Sequence, residues 1–99
     1  MATLYISEYN DINVRQGVLT PVVVEPALAD QTKAIAGTSA QSNAFGANTR
    51  IVRLHTDAVC SVLFGANPTA LTTSKRLAAD QTEYFRVNPG DKVAVIANT

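Results

Sequence analysis

Apolar and polar positions alternate along much of the chain, with the period of two that is typical of β-strands. Segment 3–9 shows it clearly, because Leu4 and Ile6 alternate with more polar neighbours. Segment 31–36 shows it weakly, and 49–64 shows it most strongly. No window sustains the 3.6-residue period of a long helix. The pattern therefore predicts an all-β fold.

The strongest segment, 49–64, predicts a β-hairpin whose loop is residues 55–57. This three-residue loop pairs Leu54 with Ala58, whereas a two-residue loop would place Arg53 in the middle of the apolar face. The register leaves Arg53, Val59 and Ser61 on the outer side. It turns the following residues towards the core: Val52, Leu54, Ala58, Cys60, Val62 and Phe64.

Turn residues divide the rest of the chain into short segments. Strands are predicted at 83–87 and 92–97, joined by a tight Pro-Gly turn into a second hairpin. Prolines bound a β-branched run at 21–26, which fits an edge strand. Turn-forming residues at 10–19 predict a loop, and 70–77 predicts a short helical turn.

These segments together predict one domain over residues 1–99, because a second core would not fit in 99 residues. The expected architecture is a small β-sandwich or jelly-roll-like barrel of about seven short antiparallel strands. The two hairpins of 50–97 are expected to form its core. Residues 1–49 are expected to supply edge strands or an interface arm.

Composition supports this class. Thr and Val together make up 22 of the 99 residues, and such β-branched side chains favour strands. The formal net charge is zero, which is unlike a nucleic-acid binder or a polybasic membrane binder. No apolar run approaches the length of a membrane span, and the N-terminus lacks the pattern of a signal peptide, so a soluble chain without an export signal is expected.

The residues that carry chemistry are few. His55 is the only histidine, and although Asp57 follows it closely, the pattern is more typical of a solvated loop than of a catalytic triad. Cys60 is the only cysteine, which excludes an internal disulfide and favours a small buried apolar role. One His and one Cys are too few for a transition-metal site, and no nucleotide-binding signature is present. We predict no catalytic residue, no cofactor and no metal.

The segment from Arg50 to Ile96 resembles small proteins encoded among the virion structural genes of tailed bacteriophages and prophages. The resemblance lies in a strand followed by Asp-Ala-x-Cys, in Phe-Gly-x-Asn-Pro-Thr-Ala, in Leu-Ala-x-x-x-x-Glu-Tyr and in a Pro-Gly turn before the last strand. It covers about half of the chain and includes no catalytic residue. It implies a capsid decoration, or cement, protein that binds at junctions between capsid subunits.

This resemblance implies a location in the virion after synthesis in the bacterial host cytoplasm. The expected partners are the major capsid protein or other virion proteins together with further copies of the chain, and neither nucleic acid nor membrane. The alternatives are a head-closure or tail component, or a β-sandwich that binds carbohydrate or another ligand, which Tyr5, Tyr9 and Tyr84 coplanar on one exposed face would support. The residues expected at an interface are Val22, Val23, Val24, Ile51, Val59 and Leu63.

Overall fold

The computed structural model describes residues 2–10 and 25–98 completely, and residues 12–15 and 18–23 by their backbone. Within these residues all regular secondary structure is β-strand, which confirms the predicted fold class. The strands are β1 (Thr3–Tyr9), β2 (Ile12–Arg15), β3 (Val18–Val23), β4 (Ala29–Ala34), β5 (Ala40–Gln41), β6 (Ile51–Thr56), β7 (Cys60–Gly65), β8 (Lys75–Leu77), β9 (Thr82–Arg86) and β10 (Lys92–Ala97).

Eight of the strands form two antiparallel sheets. Sheet I has the order β4-β1-β6-β9, and sheet II has the order β5-β10-β7-β8. The strands β2 and β3 pair with each other as a separate two-stranded ribbon. One apolar core draws residues from both sheets, so the fold is a small β-sandwich, not a closed barrel.

The core is built by the alternate side chains of the central strands. Each of the four central strands contributes inward residues that are at most 1% exposed: Leu4, Ile6, Val52, Leu54, Cys60, Val62, Val93 and Val95. Three phenylalanines extend this core, with ring centroids 5.0 Å apart for Phe64 and Phe85 and 6.4 Å apart for Phe45 and Phe64. The inward set predicted for 49–64 is therefore correct for Val52, Leu54, Cys60 and Val62.

The two predicted hairpins are wrong, because their strands belong to different sheets. The chain crosses from sheet I to sheet II between β6 and β7, and again between β9 and β10. Instead, β6 pairs with β1 and β9, while β7 pairs with β10 and β8. An alternating pattern indicates only that every second side chain faces a core. Both sheets of a sandwich face the same core, so the next strand can lie in the opposite sheet and show the same pattern.

Further departures come from pairings that are distant in sequence. β1 lies inside sheet I with a strand on each side, so this part of the predicted arm is instead a central strand. The segment 70–77 forms no helix: it has a single turn, in which the Ser74 N–H donates to the Leu71 carbonyl (2.9 Å), and its last three residues are β8, paired with β7. The predicted loop 10–19 contains β2 and the start of β3.

The outer faces of the two sheets differ. The connection of residues 66–74 crosses the outer face of sheet II, where the Asn98 side-chain amide donates to Ser61 Oγ (2.7 Å) and to the Thr72 carbonyl (3.0 Å). Ser61 and Ala94 point outward from this sheet, yet both are 0% exposed. Sheet I has open positions at the centre of its outer face, and the candidate site lies there.

Candidate binding face

The three tyrosines of the chain lie on the outer face of sheet I. Alternation places Tyr5 and Tyr9 there from β1, and Tyr84 from β9. Cross-strand register sets Tyr5 beside His55, and Tyr84 beside Arg53. We call the open part of this surface the tyrosine face, formed by Tyr5, Ser7, Asp30, Arg53, His55 and Tyr84. From strand spacing, the Cα atoms of Tyr5 and Tyr84 are about 12 Å apart.

The tyrosines differ in accessibility. Tyr5 and Tyr84 are 43% and 53% exposed, whereas Tyr9 is 4% exposed. The Tyr9 hydroxyl donates a hydrogen bond to Glu25 Oε2 at 3.0 Å. Burial, and next the bond and charge of Glu25, raise the pKa of Tyr9. Only Tyr5 and Tyr84 are therefore available to a ligand, and the expected arrangement of all three tyrosines on one exposed face is not present.

A groove of about 580 Å³ lies on the part of the tyrosine face around Tyr5, and Tyr84 does not line it. It is lined by Tyr5, Ile6, Ser7, Asp30, Gln31, Thr32, Arg53 and His55. The guanidinium of Arg53 offers several N–H donors, the carboxylate of Asp30 accepts, and the ring of Tyr5 offers an apolar surface. The volume lies within the range of small-ligand sites, but the lining is more polar than such sites usually are, so the groove suits a polar ligand or part of a protein partner.

His55 has a different environment from the one predicted. It lies on β6 and not in a solvated loop, because the strand continues to Thr56. It is half-buried, its Nδ1 lies 2.8 Å from Thr82 Oγ1, and its ring centroid is 6.3 Å from that of Tyr5. One ring nitrogen of His55 and one carboxylate oxygen each of Asp57 and Asp80 lie within 4.8 Å of one another. No sequence pattern joins Asp80 to this pair.

Cys60 is buried at 0% exposure, which confirms its interpretation as a small core residue. Its thiol donates to Thr56 Oγ1 at 3.5 Å. Burial raises the pKa of the Cys60 thiol, with a smaller opposing effect from Thr56. A thiol that stays protonated and inaccessible is a poor nucleophile.

Glu8 is a second buried ionisable group, and its hydrogen-bond partners were not expected from the sequence. Glu8 faces the interior from β1 and is 3% exposed. Its Oε1 accepts from the Gly46 backbone N–H (2.9 Å) and from Thr49 Oγ1 (2.7 Å), and its Oε2 accepts from Gln31 Nε2 (3.2 Å). These bonds fasten the connection between β5 and β6 to sheet I. Alternation alone put Glu8 on the core face, but nothing local predicted its partners.

The predicted interface residues fall into separate environments. Leu63 is 41% exposed on the outer side of sheet II, and Val59 is half-buried. Ile51 is 8% exposed, so the expectation that it lies open is wrong: it lies in a row between Tyr9 and Arg86. Val22 and Val23 lie in β3, but their side chains are outside the described residues, as is the whole of Val24.

Comparisons with protein-family models, with curated proteins and with solved structures found no match to this chain. Across residues 2–10, 12–15, 18–23 and 25–98 the structure contains no helix long and apolar enough to span a membrane. Sequence reasoning had already named all three tyrosines as one condition for ligand binding. It missed Arg53 and Asp30 as their neighbours, since only strand pairing brings these residues together.

Proposed function

We propose that the protein is a structural component of a phage particle, of the capsid decoration type, which binds at junctions between capsid subunits. The observation that carries the proposal is the unequal coverage of the two sheets. The chain uses its own 66–74 connection to cover the centre of sheet II at Ser61 and Ala94, although Leu63 stays 41% exposed there. On sheet I, Tyr5 and Tyr84 both remain exposed. An aromatic and Arg-containing surface of this kind is typical of the centre of protein interfaces.

The chemistry of the surface favours a protein partner. Exposed Tyr84 lies beside Arg53 in the register, and these two residue types are enriched at binding hot spots. A small domain without disulfides also gains stability from assembly. The resemblance of residues 50–96 to virion proteins indicates the class of partner, which is the major capsid protein with further copies of this chain beside it.

The test is mass spectrometry of purified particles that carry this gene, with copy number measured against the major capsid protein. Copies in a fixed ratio to the capsid protein are expected. A handful of copies per particle would instead support a head-closure or tail component. The absence of the protein from the particle would overturn the virion proposal.

Matched variants locate the surface. Particles lacking the protein are mixed with purified wild type, Tyr84→Ala or Leu63→Ser, and the bound fraction is measured by sedimentation. Tyr84→Ala is expected to reduce binding, whereas Leu63→Ser, on the opposite sheet, is expected to bind like the wild type. If Leu63→Ser reduced binding and Tyr84→Ala did not, the interface would lie on sheet II, as the prediction that includes Leu63 requires.

A second candidate function, carbohydrate binding, is supported by the groove of the tyrosine face. Tyr5 gives a ring on which a sugar stacks, while Asp30 and Arg53 offer an acceptor and donors for hydroxyl groups. The wild type and Tyr5→Ala are compared on immobilised glycans, with Leu71→Ala as an exposed control on the sheet II side. Binding that Tyr5→Ala abolishes and Leu71→Ala retains would support this function. No binding by the wild type would exclude it for the glycans tested.

A further inference from the structure

An imidazole and two carboxylates meet at one end of the sandwich, where the β6–β7 and β8–β9 connections lie side by side. The groups belong to His55, Asp57 and Asp80, and their ligand atoms lie within 4.8 Å of one another. We propose that they bind a divalent first-row transition ion of the Zn²⁺ class. The sequence predicted no metal because it counted His and Cys alone, and it could not place the two carboxylates beside the imidazole.

The backbone holds the two connections together before any ion binds. The Thr56 N–H donates to the Gln81 carbonyl (3.2 Å), and the Asp80 N–H donates to the Thr56 carbonyl (2.8 Å). The Asp57 N–H donates in turn to the Thr3 carbonyl of β1 (3.1 Å). The three ligand residues therefore start from fixed backbone positions, which reduces the ordering cost of binding.

The imidazole is oriented by a residue outside the ligand set. Nδ1 of His55 lies 2.8 Å from Thr82 Oγ1. When Nδ1–H donates to this hydroxyl, the other ring nitrogen carries the lone pair that a metal needs. A hydrogen bond at the second ring nitrogen is the usual companion of a metal-binding histidine. This contact holds the imidazole in one orientation, which a cluster of carboxylates alone would lack.

The donor set selects the kind of ion. Imidazole nitrogen suits Zn²⁺ and its first-row neighbours, whereas carboxylates alone would favour Mg²⁺ or Ca²⁺. Two carboxylates balance the charge of a divalent ion. Both Asp57 and Asp80 are exposed, so the remaining coordination positions are open to water or to a ligand from a partner. The inference is independent of the proposed virion role, because it uses neither the resemblance nor Tyr84.

The test uses the fact that the chain contains one histidine, so its imidazole NMR signals need no assignment. The full chain is titrated with Zn²⁺ at neutral pH while these signals are followed, and calorimetry gives the stoichiometry. Saturation at one equivalent is expected.

The variants are Asp57→Asn and Asp80→Asn, with Asp91→Asn as a control of equal charge change. Asn suits the positive φ of 59° at position 80, so Asp80→Asn is expected to fold.

Each of the two variants is expected to weaken Zn²⁺ affinity by about tenfold or more, since even an outer-shell change produces an effect of that size. Asp91→Asn is expected to bind like the wild type. Unchanged imidazole signals at millimolar Zn²⁺ would overturn the proposal. So would affinities that Asp57→Asn and Asp80→Asn leave unaltered, because the ion would then be bound by the histidine alone.

Discussion

Replacing Glu8 with alanine removes the acceptor that fastens the β5–β6 connection to sheet I. The Gly46 N–H and the Thr49 hydroxyl, at 2.9 and 2.7 Å from Oε1, lose their partner. Hydrogen bonds to a charged group contribute about 1.5–3 kcal/mol each, and a buried donor without a partner costs a similar amount. Thr49 is 0% exposed, but Gly46 is open to water, which offsets part of the cost. We expect a loss of about 3 kcal/mol.

This loss is a large share of the total stability, which for 99 residues is about 5–15 kcal/mol. The assay is urea unfolding followed by circular dichroism. With a slope of about 2 kcal/mol per molar urea, the midpoint is expected to fall by about 1.5 M. Glu8→Gln is expected to lose less, about 1 kcal/mol, because it keeps one acceptor oxygen for Gly46 and Thr49. Some loss remains because the new amide NH₂ faces another donor, Nε2 of Gln31.

The matched control is Glu83→Ala on β9, because Glu83 is exposed and its removal leaves no buried donor unpaired. Its effect is expected to stay within about 0.5 kcal/mol. Equal midpoints for Glu8→Ala and Glu83→Ala would refute the reasoning. The Glu8 carboxylate would then be shown to contribute no more than an ordinary surface charge.

Three further predictions follow from single buried groups. Val62→Asp is expected to abolish folding or expression, because an unpaired carboxylate at 0% exposure costs several kcal/mol, and soluble protein with native circular dichroism would contradict this. Because the pKa of Tyr9 is raised in the folded state, its share of stability is complete below pH ~10 and is lost as the pH rises past that value. The denaturation midpoint is therefore expected to fall less between the two sides of pH ~10 in Tyr9→Phe than in the wild type. The same fall in both proteins would exclude the effect. Because burial raises the pKa of the Cys60 thiol, a thiol reagent should label it only as denaturant unfolds the chain, and rapid labelling of the folded protein would show that the site is accessible.

The sequence by itself determined the fold class and most of the inward positions. The alternation of 3–9 matched β1 at both ends, and that of 92–97 matched β10. A strand with one face in a core must alternate whatever its neighbours are, so this signal is local. The same alternation put Tyr5 and Ser7 on one face, which is the part of the candidate site that could be predicted.

Only the tertiary structure decided which strands pair and what surrounds each candidate residue. Five of the seven links between successive strands of the sandwich cross from one sheet to the other, and periodicity carries no information about such crossings. Pairing distant in sequence set Arg53 beside Tyr84, placed Asp80 near His55, and gave Glu8 its donors Gly46 and Thr49. These relations depend on separations of 25 to 41 residues along the chain, such as the 41 between Glu8 and Thr49. The local sequence fixes a residue's side of the strand, and the packing of two sheets fixes its neighbours.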